Sequence, residues 1–213
     1  MSTEPDDASL ALRWQQGEKA AGELLYRRYF PTVLNYFRNK VGDAERGDLV
    51  ADTFLRGQRG LQTFRGDASF KTFILKIAHN TLVDHYRRRV NERKHADARD
   101  RELSAQDLAR SPFSLIADSQ QARLLLEALR RLPHEMQELL ELRFWEELTG
   151  PEIAEVLGIP EGTVRSRLSA AKERLERGLA ALASSPDLLA STLSDLDGWA
   201  RKLRTQMGRQ GDA

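Results

Sequence analysis

Cysteine is absent from this chain of 213 residues, which excludes a disulfide framework, a thiol nucleophile and any thiolate metal site. No apolar run is long enough to cross a bilayer, and the opening Met-Ser-Thr-Glu-Pro-Asp-Asp is acidic where a secretory leader would be basic and then apolar. A cytoplasmic protein without membrane insertion is the expectation. An excess of one charge is also missing: 31% of residues are charged, yet the formal net charge is only +1. Any nucleic-acid surface must therefore arise from local clustering and not from bulk basicity. There is no glycine-rich phosphate loop and no Gly-x-Ser-x-Gly elbow, so no enzymatic motif and no cofactor are expected.

The alternation that marks strands is nearly absent, while apolar residues recur every three or four positions from Leu10 to Met207. This predicts an all-α protein, and 213 residues with 40% hydrophobic content suit two small helical domains. Helices are expected over residues 10–14, 19–40 and 44–61, with Pro31 kinking or interrupting the second. A loop over 62–68 leads to a helix over 69–89, with Ser69 as N-cap and Phe70, Phe73, Ile74, Ile77 and Val83 as its apolar side. Between 90 and 119 the pattern dissolves into alternating charges, the composition of a flexible linker with a helical start at most. Helices resume over 122–131 and 133–146. After the break at Ser184-Ser-Pro-Asp187, the stripe Leu189, Leu193, Leu196, Trp199 and Leu203 predicts one more amphipathic helix. The organisation expected is a first domain over 1–90, a linker over 91–119, a second domain over 120–183 and an extension over 184–213.

Residues 149–168 carry the densest local signal. Thr149 and Glu152 have capping-box spacing, and Pro151 falls in the first turn, where a missing N–H costs little. Ile153, Ala154, Val156 and Leu157 supply a buried side, Gly158 a permissive turn residue, and Pro160 a stop to the first helix. In the second helix Val164, Leu168, Ala171, Leu175, Leu179 and Leu182 share one face. Arg165, Ser166, Arg167, Ser169, Lys172 and Glu173 are left on or beside the other. That is a helix-turn-helix whose Arg/Ser-rich face suits major-groove edges and phosphates.

This unit follows a separate helical segment that ends in Ile77-Ala-His-Asn-Thr-Leu-Val-Asp-His-Tyr-Arg-Arg-Arg89. With Asp48-Leu-Val-Ala-Asp-Thr-Phe-Leu55, Phe64-Arg-Gly-Asp-Ala-Ser-Phe-Lys-Thr-Phe73 and Pro160-Glu-Gly-Thr-Val-Arg-Ser-Arg-Leu168 in that order, the chain resembles an extracytoplasmic-function sigma factor, an initiation subunit of bacterial RNA polymerase. The resemblance implies docking of Asp48, Leu49, Asp52 and Leu55 on the clamp helices of the polymerase β′ subunit. The resemblance also implies a second polymerase contact, at the β flap. It implies opening of the minus-ten promoter element and capture of an unstacked base by the 64–69 loop and the helix after it, with Arg65, Lys76, Asn80, Arg87 and Arg88 on DNA. It also implies reading of the minus-thirty-five element by Thr163, Arg165, Ser166, Arg167 and Lys172. Ala51, Phe73 and Ala170 depart from the glutamine, tryptophan and arginine that the family usually has there. Promoter DNA and core RNA polymerase are the implied partners, with an anti-sigma factor as a further one. The resemblance assigns no role to the extension.

Three other readings compete, one of them a pure protein-interaction scaffold whose helices only bind partners. A conventional helix-turn-helix repressor or activator would bind duplex DNA without polymerase, as a dimer. A metal site at His79, Asp84 and His85 is a weaker one, because Asp84 and His85 point about a hundred degrees apart on a helix. His95 and His134 lie in other segments, so no metal is expected.

Overall fold

The structure, a computed structural model, describes residues 5–38, 40–64, 66, 68–95 and 120–183. Among them every regular element is helical, as the apolar spacing predicts. The chain forms two compact units, one on either side of residue 110. The extension and most of the expected linker, with Arg65 of the minus-ten set, lie outside the described residues.

The first unit contains α1 (Asp7–Gln15), α2 (Lys19–Arg38), α3 (Asp43–Gly60), a 3-10 turn (Leu61–Thr63) and α4 (Phe70–His95). Helix α1 starts where the Asp6 carboxylate accepts the Ser9 N–H at 2.9 Å, and it ends in a turn through Gly17 at φ 94°. Its inner face, Leu10 and Ala11, packs on α2. Helix α2 continues through Pro31, so proline does not interrupt it. Leu25 and Val33 are fully buried on either side of that residue, and packing of this kind offsets the one backbone bond that proline forfeits. Helices α3 and α4 pack on one another and on α2, with Phe37, Ile74 and Leu75 at the centre.

The inner face of α4 differs from the expected one. Leu75, Ala78 and Leu82 are buried with Phe70 and Ile74, whereas Phe73, Ile77 and Val83 are half-buried. Packing with α1, α2 and α3 sets which of its apolar positions are covered. Thr72 and Thr81 are buried with them, the Thr72 hydroxyl 2.9 Å from that of Ser69. The helix also runs six residues past Arg89, through the charged sequence read as linker. Arg, Glu and Lys are good helix formers, and an established helix extends at little cost.

In the second unit, α5 (Gln120–Arg130), α6 (His134–Leu140) and α7 (Gly150–Leu157) all pack on α8 (Glu161–Leu182). Leu125, Leu140, Ala171 and Leu179 lie in its core. Helix α6 widens into a π-helical turn, Glu141–Trp145, and Glu147 then reverses the chain at φ 55°. The Arg143 guanidinium donates to the Leu148 carbonyl at 3.0 Å across that reversal. Helix α7 begins with a complete capping box: the Thr149 N–H donates to the Glu152 carboxylate at 2.8 Å, and the Glu152 N–H to the Thr149 hydroxyl at 3.5 Å. Gly158 closes it in the left-handed region at φ 64°.

Candidate nucleic-acid and partner interface

Helix α3 presents Asp48 and Leu55 to solvent, Leu55 being 54% exposed. Leu49 is only 6% exposed and belongs to the core, so it offers no surface of its own beside Asp48. Helical geometry separates them: adjacent residues differ by about 100° in direction, so Asp48 and Leu49 do not share a face. Phe54 is likewise core, and its ring centre lies 4.6 Å from that of Tyr26 on α2. Tyr26 is 44% exposed, which carries the apolar part of this surface across α2 and α3.

Asp52 is not a lone carboxylate. Arg56, one turn on, meets it at 3.0 Å and reaches across to Asp84 of α4 at 2.6 Å. The hydrogen bond from Arg56 holds the Asp84 carboxyl below its ordinary range, so Asp84 stays ionised and neutralised together. Of the expected stripe on α4, Asn80, Arg87 and Arg88 are exposed and Lys76 is half-buried. Compensation of Asp84 by Arg56 lowers the negative charge which that stripe presents. Arg89 turns to Glu45 of α3 at 3.3 Å, and the His85 Nε2 stands 3.8 Å from the same carboxylate. Asp84 and His85 thus serve different partners on α3. Among the described residues no three His, Cys, Asp or Glu side chains group as a metal site would require.

The entry to α4 is built on aromatic rings. Phe64 lies 4.9 Å from Phe73 and 6.1 Å from Phe70, and Tyr29 lies 5.2 Å from Phe70. Phe73 is a member of this packed cluster. The Ser69 hydroxyl accepts the Thr72 N–H at 3.1 Å, as an N-cap should.

On α8 the apolar stripe is buried at Val164, Ala171, Leu175 and Leu179, while Arg165, Ser166, Arg167 and Lys172 are exposed and Thr163 is half-buried. The exposed groups are drawn onto the unit itself. Arg165 pairs with Glu161 at 3.1 Å, Arg167 approaches Glu135 of α6 at 3.9 Å, and the Ser166 hydroxyl donates to the Thr163 carbonyl at 3.1 Å. The Lys172 ammonium sits 5.2 Å from the Phe144 ring centre. Such exposed pairs are weak, so phosphate can displace them readily.

Comparison with known proteins places both units. The sigma-70 region 2 family model matches residues 25–92, and the sigma-70 region 4 model matches residues 122–175. The chain is 32% identical over 187 residues to the RNA polymerase sigma-H factor of Pseudomonas aeruginosa, covering 84% of this chain and 96% of that protein. It is 31% identical over 183 residues to the ECF RNA polymerase sigma-E factor of Haemophilus influenzae, covering 83% of this chain and 96% of the relative. The chain belongs to the extracytoplasmic-function sigma factors of the sigma-70 family. As a sigma factor it binds core RNA polymerase and directs transcription initiation at promoters. The fold is shared with CnrH, solved in complex with the cytosolic domain of CnrY, at a TM-score of 0.60 and 24% identity over 83% of this chain and 99% of that one. It is shared also with RpoE of Bartonella quintana, solved in complex with the anti-sigma factor NepR, at a TM-score of 0.56 and 20% identity over 74% and 96%.

Two surface features of this sigma factor escape the sequence pattern. The spacing of Asp52 and Arg56 signals a pair within α3, but nothing local signals the second bond to Asp84 twenty-eight positions on. Tyr26 reads as one more apolar position of α2, and only the packing of α2 on α3 shows it half outside.

Proposed function

We propose that residues 1–90 act as the region 2 domain, docking on core polymerase and opening the minus-ten element, while residues 120–183 act as the region 4 domain and grip the minus-thirty-five element. Residues 91–119 space the two, and 184–213 form an added C-terminal piece. Asp48, Asp52 and Leu55 meet the β′ clamp helices, joined by Tyr26, with Leu49 supporting them from beneath. The second domain also meets the β flap. Asn80 reads an extruded base of the non-template strand, while Lys76, Arg87 and Arg88, with Arg65, hold its backbone. Arg165, Ser166 and Arg167 enter the major groove, with Thr163 and Lys172 on phosphates. The factor works in the cytoplasm and does no bond chemistry of its own, which belongs to the polymerase. An anti-sigma protein that covers the same faces is its regulator, a reading supported by the complex of NepR with the RpoE neighbour.

The observation that carries this reading is the direct packing of α3 on α4, bridged by Arg56. One rigid unit thereby offers an acidic and apolar partner face beside a polar, cationic strand face. Purified protein added to sigma-free core polymerase should comigrate with it and yield a promoter-specific run-off transcript. Tight duplex binding without core, and no transcript with it, would refute the proposal.

A further inference from the structure

Gln15 is the last residue of α1, and it precedes the stretch that matches region 2, residues 25–92. Its side-chain amide reaches two backbone carbonyls far along the chain, Leu61 at 2.6 Å and Phe64 at 2.8 Å. These oxygens bracket the 3-10 turn at the end of α3. The Leu61 carbonyl also accepts the Phe64 N–H at 3.0 Å, so both of its lone pairs are engaged. An amide nitrogen carries two hydrogens, and here each has its own acceptor.

The consequence is geometric. A peptide unit is planar, so holding the Phe64 carbonyl holds the whole plane that follows it, and with it ψ of Phe64 at 115°. That plane sets the direction in which the chain leaves the turn. The Phe64 side chain is fixed separately in the ring cluster with Phe70 and Phe73.

Helix α1 is itself anchored, so Gln15 acts from a fixed base. The Trp14 ring lies against Gly22 of α2, Arg13 donates to Glu18 across the Gly17 turn at 2.8 Å, and Asp7 binds both Arg28 and Tyr29 of α2.

We infer that Gln15 is a positioning residue for base capture: it presets the backbone at Phe64, where the 64–69 loop begins, before the non-template strand arrives. This rests on the proposed capture of a base by that loop and Asn80. Backbone held at Phe64 before binding loses less entropy there on binding, so the benefit falls on strand opening and not on docking to polymerase.

The test uses the full chain with core polymerase and compares Gln15→Glu, Gln15→Leu and Asn80→Ala. Gln15→Glu keeps the shape but turns two donors into a carboxylate facing two carbonyls. Gln15→Leu keeps most of the volume and removes the polar group. Three quantities are measured: core affinity by fluorescence anisotropy, opening of a duplex promoter by 2-aminopurine fluorescence, and the ratio of opening between the cognate and a substituted base at the extruded position. Both Gln15 variants should lower opening about tenfold and shrink that ratio, with core affinity kept within about twofold. Normal opening by both Gln15 variants while Asn80→Ala fails would overturn the inference and leave the capture reading standing. Core affinity falling in step with opening, or reduced opening with an unaltered base ratio, would mark Gln15 as merely structural and overturn it too. If Asn80→Ala opens DNA normally, the capture reading itself fails, and the role of Gln15 with it.

Discussion

Replacing Gly22 by alanine tests the seating of α1 on α2, on which the placement of Gln15 depends. A Cβ at this position would lie 2.5 Å from Nε1, 2.6 Å from Cε2 and 2.8 Å from Cδ1 of Trp14, distances that real Cβ atoms do not reach. The indole must move, and overpacking of this kind costs about 1–3 kcal/mol. Against this, alanine is the better helix former by about 0.5–1 kcal/mol. The net expectation is a loss of about 1 kcal/mol. Gly47→Ala provides the control, because Gly47 stands close to the start of α3 as Gly22 does to that of α2, yet its Cβ would meet nothing within 4 Å. That variant should gain about 0.5–1 kcal/mol. The gap between the two is then the steric term alone, about 1–3 kcal/mol. For a domain of this size each kcal/mol moves the thermal midpoint by about 4–8 °C, so circular dichroism melts of the two full-length variants separate clearly. Equal shifts in the same direction would refute the packing of Trp14 on Gly22, and with it the argument that α1 is firmly held.

Other perturbations probe the remaining sites. Thr149→Ala removes one side of the capping box and should destabilise the second unit by about 0.5–2 kcal/mol, read by urea unfolding. Gly158→Ala has open space around the new methyl, so its cost is the left-handed backbone alone, about 1–2 kcal/mol, and a neutral result would contradict the φ of 64°. Arg56→Met should let the Asp84 carboxyl rise towards its ordinary range. Because the folded-state value is depressed, the contribution of this pair is present above the ordinary carboxylate range and is lost as pH falls through the depressed value. All three side chains are a third or more exposed, so the stability difference at neutral pH is at most about 1 kcal/mol and vanishes in acid; carboxyl NMR titration of Asp84 checks the direction. Arg165→Ala combined with Arg167→Ala should weaken upstream-element binding and, for each of the two that meets a phosphate, reduce the salt slope by about 1, measured by titration at several salt concentrations. An unchanged affinity would remove both arginines from the proposed interface.

Local chemistry makes the helix-turn-helix legible in the sequence. Thr149, Glu152, Gly158 and Pro160 act on backbone groups within a few positions of themselves, so their spacing alone predicts the capping box, the left-handed turn and the restart that are found. The stripe of α8 is equally readable, because its buried positions Val164, Ala171, Leu175 and Leu179 share one face although α5, α6 and α7 all contact it. Helix α4 is less legible. Burial on it takes in Leu75, Ala78 and Leu82 with Phe70 and Ile74, and which of its apolar positions are covered is set by packing with α1, α2 and α3. The helical start that the charged stretch after residue 90 allows is found, since α4 runs on to His95.

The sequence by itself therefore determined the all-α class, the helix-turn-helix and the polar residues available on α4 and α8, because these follow from periodicity and from bonds between near neighbours. Tertiary structure alone decided that Leu49 is core while Asp48 beside it is surface, that Arg56 joins Asp52 to Asp84, and that Gln15 holds the carbonyls of Leu61 and Phe64. Each of these depends on which helix face meets which neighbour. That is a property of packing between distant segments, and spacing along one chain does not encode it.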